Sequence, residues 1–162
     1  MAKLTHFGKE GSIRMVDVSG KGATRRSARA QAFVQIRPEA LARIRRLRLP
    51  KGNPLEIARI AGIAAAKRTA DLIPLCHPLP LTYIDVEASL CENGIQISTR
   101  VTAASKTGVE MEALTAAAVA ALTVYDMCKA ADPAMTITDL FLVEKTGGRR
   151  GHYRRGLGFM KK

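Results

Sequence analysis

The sequence predicts an α+β fold in which helices cover one face of a mostly antiparallel sheet. Stretches that alternate apolar and polar residues predict strands, and helical stretches with apolar residues three and four positions apart lie between them. With 162 residues, 47% of them hydrophobic, the chain suits one domain with a substantial core. Because aromatic residues make up only 4% and tryptophan is absent, that core must consist mainly of Ala, Leu, Ile and Val.

The first half of the chain predicts one strand and two helices. A short strand is expected at 31–36, followed by a helix at 38–47 that opens with Pro-Glu, a pair suited to a first helical turn. A second helix is expected at 54–69, with Asn53 as its N-cap and proline at its first position.

The second half predicts a hairpin, a long helix and a last strand. Residues 82–90 and 95–103 both alternate, and the sequence Glu-Asn-Gly between them predicts the turn of an antiparallel hairpin. A helix is expected at 108–132, where a proline follows, and a strand at 135–145.

Both ends of the chain differ from its middle. Residues 1–30 are rich in Gly, Ser and basic groups without a helical or strand period, which predicts an extended basic arm. Residues 31–146 form the single expected α+β domain, which would hold any catalytic site. Residues 147–162 are rich in Gly and Arg with no burial pattern, so we expect a disordered basic tail.

The charge balance predicts an anionic ligand. Twenty-six Lys and Arg residues against 14 Asp and Glu give a net charge of +12, which attracts nucleic acid, an anionic membrane surface or a nucleotide triphosphate. Three cysteines, no signal-peptide pattern and no apolar run of about 20 residues favour a soluble protein of the reducing cytoplasm, without a membrane span.

The stretch "DLIPLCHPLP" places Cys76 beside His77. Structural zinc takes four ligands in short pairs, whereas Cys91 and Cys128 are isolated, so no metal site is expected. A Cys76 nucleophile would need a base within reach, and neighbours on an extended chain point apart. We interpret Cys76 as a small buried hydrophobic residue and His77 as a working group held by the flanking prolines; a structural core histidine is the alternative.

Two pairs of charged residues in the long helix, one near each end, are candidates for chemistry. Glu110 and Glu112 would also stabilise a helix N-terminus simply by their charge. Asp126 and Lys129 can pair directly, either as a surface ion pair or, if this apolar helix is buried, as a proton-transfer pair. Glu112 and Asp126 are 14 positions apart, about 21 Å on a helix, so one site could use both only at an interface between two subunits.

Two lysines close to glycines suit an oxyanion, because glycine lets backbone N–H groups approach it: Lys51 directly precedes a glycine, and Lys106 lies two positions before one. Neither a P-loop nor a dinucleotide-binding glycine motif occurs, which argues against an ordinary NTPase or dehydrogenase. A nucleic-acid-binding module, supported by charge but lacking aromatic platforms, and a noncatalytic oligomeric scaffold are the alternatives to an enzyme.

Four stretches carry a family resemblance: "MVDVSGKGATRRSARA", "ARIAGIAAAKRTADLIPLCHPLPLT", "KTGVEMEALTAAAVAALTVYDMCKA" and "EKTGGRRG". Through them the chain resembles the MoaC family, the cyclic pyranopterin monophosphate synthases of molybdenum cofactor biosynthesis, across about residues 3–151. The resemblance implies a ferredoxin-like sheet with helices packed on one face. It also implies a homo-oligomer, a hexamer built as a trimer of dimers, with the active site at a subunit interface.

The resemblance further implies a reaction and its residues. A cyclised dihydro-GTP derivative would be rearranged to cyclic pyranopterin monophosphate with release of pyrophosphate. No cofactor, nucleic acid or membrane partner is implied, although magnesium could accompany the triphosphate. The implied catalytic residues are Asp126, Lys129 and Lys51. The implied substrate-binding residues are Leu75, Cys76, His77, Glu110, Met111, Glu112, Lys67, Lys21 and Arg26. The family often has Gly-Gly-Lys where this chain has "GGRRG", which keeps a charge but replaces a possible proton donor.

Overall fold

The computed structural model describes residues 12–46, 52–148 and 151–156. In chain order the elements are β1 (Thr24–Gln35), α1 (Pro38–Arg45), α2 (Pro54–Lys67), α3 (Thr69–Leu72), β2 (Leu81–Leu90), β3 (Gly94–Ser105), α4 (Glu110–Cys128), β4 (Thr136–Thr146) and β5 (Tyr153–Arg154).

The sheet has the strand order β2-β3-β1-β4-β5, and every neighbouring pair is antiparallel. Helices connect β1 to β2 and β3 to β4, while β2 and β3 form a hairpin. This is the ferredoxin-like arrangement, in which β3 lies between the two strands of the first βαβ unit. The predicted α+β class, the hairpin and the antiparallel sheet are confirmed.

The helices α2 and α4 lie side by side on one face of the sheet. The helix α4 packs on β1, β3 and β4, whereas α2 packs on β2 and on α4 itself. Alternate residues of β1 and β3 face these helices and are buried, among them Ala30, Val34, Ile97 and Val101. Small residues along α4 let the two helices approach closely. The core is built mainly from Ala, Val and Ile, as the composition predicts, but the predicted leucines contribute little, since Leu41 is the only buried leucine among the described residues.

Two terminal segments differ from the prediction. The expected strand at 31–36 is too short, since β1 begins at Thr24 and buries Ala28 inside the segment expected to be an extended arm. The expected disorder after residue 146 is also wrong in part. In that segment β5 pairs with β4, and the backbone N–H of Arg155 donates to the Val143 carbonyl at 2.8 Å.

Three helices differ modestly from their predictions at one or both ends. The helix expected at 108–132 spans Glu110–Cys128, and the helix expected at 54–69 ends at Lys67, with the short α3 following. The first helix ends at Arg45 rather than near 47.

Among the described helices, α4 alone is long and apolar enough to match a membrane span by length and composition, and 56% of that window is buried within the structure. Packing against the sheet and α2 accounts for this composition, which is that of a core helix.

Candidate active site

One cavity collects most of the predicted site residues. It has a volume of about 530 Å³, within the roughly 300–1,000 Å³ of small-molecule sites. Its walls come from the N-terminal segment at 16–21, the start of β1, the segment before β2, the first turn of α4 and the end of β4. The predicted site residues that line it are Lys21, Arg26, Leu75, Cys76, His77, Glu110, Met111 and Glu112.

Three predicted residues lie outside the cavity, and a fourth is not described. Lys67, Asp126 and Lys129 are not among the residues that line this cavity. Lys51 lies outside the described residues, so its predicted role stays a prediction.

The segment before β2 is shaped by a turn and by prolines. The backbone N–H of Cys76 donates to the Ile73 carbonyl at 3.0 Å, which turns the chain after α3 toward the cavity. Pro78 and Pro80 then fix φ until β2 begins at Leu81. His77 is half-buried and lines the cavity, a position that suits the predicted working group better than a core histidine.

Cys76 has the environment of an unreactive thiol. Its side chain is half-buried rather than fully buried, and burial, with a smaller contribution from the Glu112 carboxylate, raises the pKa of the thiol. Because the thiolate is the reactive form, this environment opposes the nucleophile alternative. The thiol instead supplies apolar surface beside His77.

Glu112 is the buried carboxyl group of the cavity, with 4% of the residue exposed. Burial raises the pKa of this carboxyl group, and the nearby charge of Glu110 raises it further, against a backbone hydrogen bond that lowers it. A carboxyl group that retains its proton to a higher pH can donate a hydrogen bond or a proton to a ligand.

Glu110 pairs with a lysine that sequence reasoning missed. Lys145 Nζ, at the end of β4, donates to Glu110 Oε1 at 2.6 Å, and both side chains are about one-quarter exposed. Gly108 makes room for this arrangement, because a Cβ atom there would overlap the Glu110 carboxylate. Simple alternation could not have placed Lys145, because register shifts in β4 set it opposite the buried Ala28, and its contact with Glu110 depends on the tertiary fold.

Arg26 is an available donor at the cavity wall. Its Nε atom is buried and, within the described part of the chain, has no hydrogen-bond partner. Its guanidinium lies against Gly148, where a Cβ atom would overlap it. Gly147 and Gly148 have φ values of +95° and +76°, so this turn uses the backbone freedom of glycine. An arginine with an unpaired buried N–H beside a cavity is suited to an anion.

The cavity as a whole is cationic. Its described charged residues are four cations (Lys21, Arg26, Lys106 and Lys145) and two carboxyl groups (Glu110 and Glu112). Within the described ranges, no three His, Cys, Asp or Glu side chains come close enough together to hold a metal ion.

Asp126 and Lys129 form the predicted contact in an unexpected place. Lys129 Nζ and Asp126 Oδ1 are 2.7 Å apart, and this hydrogen bond raises the pKa of Lys129. The two side chains are 55% and 56% exposed, so their expected burial is wrong for the single chain. They lie on the outer side of α4, where Leu122 is also 58% exposed. The apolar sequence of this helix therefore does not mean that all its sides are buried.

Comparison with known proteins decides the family. A family model described as the MoaC family matches residues 15–148, which include the described walls of the cavity. The chain belongs to the MoaC family.

Relatives that match over nearly their full length support this membership. A protein of Heliobacterium modesticaldum is 56% identical over 157 residues, covering 96% of this chain and 99% of the relative. A protein of Thermomicrobium roseum is 57% identical over 157 residues, covering 96% and 95%, and one of Brevibacillus brevis is 52% identical over 155 residues, covering 95% and 97%. All three are named cyclic pyranopterin monophosphate synthase. The resemblance found in the sequence motifs is confirmed.

Proposed function

We propose that this protein is a cyclic pyranopterin monophosphate synthase of molybdenum cofactor biosynthesis. It converts a cyclised dihydro-GTP derivative to cyclic pyranopterin monophosphate and pyrophosphate, as a soluble cytoplasmic lyase of the phosphorus–oxygen type. The observation that carries the proposal is the convergence of three distant motifs, at 75–77, 110–112 and 21–26, on one cationic cavity.

The cations of the cavity suit the triphosphate. Arg26, with its unpaired buried Nε, and Lys21 would donate to phosphate oxygens. A ribose-derived hydroxyl attacks the α-phosphorus, the bond from that phosphorus to the bridging oxygen breaks, and pyrophosphate leaves with the electron pair. Positive charge stabilises the departing anion, while the hydroxyl proton passes to a base.

The remaining residues would handle the pterin-forming part of the substrate. His77 and Glu112 orient it, within a surface shaped by Leu75, Cys76 and Met111. Asp126, Lys129 and Lys51 move protons during opening and reclosure of the purine-derived rings. Lys67 does not line the cavity of the single chain, so it would add its positive charge to the bound phosphates from a second subunit.

A complete site would need two subunits. Glu112 and Asp126 lie on the same helix, α4, about 21 Å apart by its rise per residue. The outer side of the helical layer also exposes large apolar residues, with Ile57 at 45%, Ile60 at 62% and Leu122 at 58%. A second copy would cover this surface and bring its Asp126–Lys129 pair to the cavity. We propose a hexamer built as a trimer of dimers.

Subunit mixing tests the shared site. Glu112→Gln and Asp126→Asn should each inactivate the homo-oligomer. In randomly mixed dimers, one intact site forms from the two unmutated residues, so mixing should restore about one quarter of wild-type activity. Two affinity tags would show that the subunits have exchanged. If the exchanged oligomers are still inactive, the two residues do not complete one site across two subunits, and each has a separate role within its own subunit.

The activity itself is tested with the cyclised dihydro-GTP substrate. Wild type should form pyrophosphate and cyclic pterin phosphate, whereas Lys51→Ala and Asp126→Ala should not. Arg43→Ala is the control, because Arg43 is exposed on α1 and does not line the cavity. No product from folded wild type would refute the proposal, and tight, salt-dependent binding of generic DNA would then favour a nucleic-acid-binding module.

We propose that the reaction uses no organic cofactor. The described carboxyl groups of the cavity are Glu110, which pairs with Lys145, and Glu112, which burial shifts toward its neutral form. This pair is a poor magnesium cage, so a magnesium ion would be held by the triphosphate itself. If the reaction requires magnesium, the amount of magnesium needed for full activity should therefore follow the substrate concentration rather than the enzyme concentration.

A further inference from the structure

The N-terminal segment forms one wall of the cavity by means of a tight turn. Val16, Val18 and Lys21 all line the cavity. The backbone N–H of Lys21 donates to the Val18 carbonyl at 3.0 Å, which closes a turn over 18–21. Glycines at 20 and 22 flank Lys21, and a Cβ atom at either position would meet nothing within 4 Å. Few atoms therefore pack around Lys21 within this turn, so the turn by itself does little to fix the position of the lysine.

The turn is instead held at Ser19, on both sides of that residue. The Ser19 N–H donates to Asp17 Oδ1 at 2.8 Å, and the Ser19 carbonyl accepts a hydrogen bond from Lys106 Nζ at 3.1 Å. Hydrogen bonds from Ser19 lower the pKa of Asp17, with a smaller contribution from the charges of Lys106 and Arg14, so its carboxylate stays ionised. Lys106 follows β3 directly and precedes α4, so its backbone belongs to the folded domain.

We propose that Lys106 is a positioning residue, which holds the 18–21 turn through Ser19 and thereby keeps Lys21 on the cavity wall. The role of Lys21 as a phosphate ligand rests on the proposed function. The fastening of the turn by Lys106 does not, because it concerns the free protein.

A direct role for Lys106 is the competing explanation, since Lys106 also lines the cavity. An ammonium has three donors, so its bond to Ser19 leaves others for a phosphate. The two explanations differ in their coupling to Lys21. A residue that acts only through Lys21 has no further effect once Lys21 is removed, whereas an independent phosphate ligand keeps its full effect.

A double-mutant cycle separates the two. Lys106→Ala should raise KM about fivefold, which is the effect expected for the loss of one hydrogen bond, with kcat nearly unchanged. Lys21→Ala should raise KM at least as much, and the double variant should match Lys21→Ala alone. If the two effects on KM multiply in the double variant, Lys106 acts independently of Lys21 and the proposal fails.

Limited trypsin digestion of the substrate-free protein gives a readout that does not depend on activity. Cleavage after Lys21, followed by mass spectrometry, should be severalfold faster in Lys106→Ala than in wild type. Arg43→Ala is the control and should leave this rate unchanged. An equal rate in wild type and Lys106→Ala would overturn the proposal even if the enzyme is active, and a faster rate would support it even if the proposed reaction is wrong.

Discussion

The ammonium of Lys145 lies 2.6 Å from a carboxylate oxygen of Glu110, which joins the end of β4 to the first turn of α4 across the cavity. This contact neutralises one of two carboxyl groups that lie two residues apart. The charge of Glu110 already raises the pKa of Glu112, so Lys145 limits the negative potential around Glu112.

Removal of Lys145 should therefore affect chemistry as well as binding. In Lys145→Met, the unpaired charge of Glu110 should raise the pKa of Glu112 further and lower kcat/KM at least about tenfold. The measurement is the pH dependence of kcat/KM. Because the protonated form of Glu112 is the donor, the inflection that it sets is the upper one, which should move to higher pH. Arg43→Met, which removes a positive charge far from the cavity, should leave the profile unchanged. If kcat/KM falls tenfold but its pH dependence does not move, Lys145 contributes only to phosphate binding.

Gly148 should be required for the position of Arg26. In Gly148→Ala, the new methyl group would overlap the Arg26 guanidinium, and the positive φ would cost about 1 kcal/mol of folding free energy. We expect KM for the triphosphate substrate to rise severalfold with a small change in kcat.

The matched control for this prediction is Gly156→Ala. A Cβ atom at Gly156 would meet no other atom within 4 Å, and Gly156 is not among the glycines with positive φ. Its substitution should leave both KM and the melting temperature unchanged. If Gly148→Ala lowers the melting temperature but keeps the wild-type KM, Arg26 does not depend on this glycine for binding.

Glu112→Gln should change stability and activity in opposite directions. The raised pKa of Glu112 means that its ionised form is disfavoured in the folded protein, so stability falls as pH rises above the ordinary value of 4.5. The neutral amide avoids this loss. Thermal unfolding should show Glu112→Gln melting a few degrees above wild type at pH 8, with little difference at pH 4, while turnover falls strongly. Equal melting temperatures at both pH values would contradict a raised pKa.

Local patterns predicted local features well. The β2–β3 hairpin follows from alternation and a Glu-Asn-Gly turn, and the distance between Asp126 and Lys129 follows from helical spacing. The exposure of that pair could not be predicted, because which side of α4 meets the sheet depends on where α2 and the strands pack. In the first half of β1 the buried positions hold only alanine, and basic or small polar residues surround them, so the large apolar residues that mark a strand are missing there.

Contacts between distant segments could not be predicted from spacing. Lys145 and Glu110 are 35 positions apart, and Lys106 and Ser19 are 87 apart. Both contacts depend on the tertiary fold, which brings the end of β3, the first turn of α4, the end of β4 and the segment at 16–21 to one cavity. The family motifs indicated which segments belong to the site, whereas the partner of each charged group required the fold.

Asp132 should control the acid stability of the fold, far from the cavity. The residue is 1% exposed and accepts hydrogen bonds from the Arg37 N–H and from Arg37 Nε, both at 2.8 Å, and from the Ala134 N–H at 3.1 Å. It thereby joins the start of α1 to the connection between α4 and β4. These bonds lower the pKa of Asp132, because they favour the ionised carboxylate.

The sign of the pH effect follows from that lowered pKa. The stabilisation is fully present above the ordinary value of 3.8 and is lost as pH falls below it toward the lowered pKa of the folded state. Asp132→Asn keeps the shape but loses the charge, so its melting temperature should lie several degrees below wild type at pH 7. The two melting curves should converge as pH falls below 3.8. A difference that persists unchanged at low pH would show that shape or packing, rather than the carboxylate charge, accounts for the contribution of Asp132.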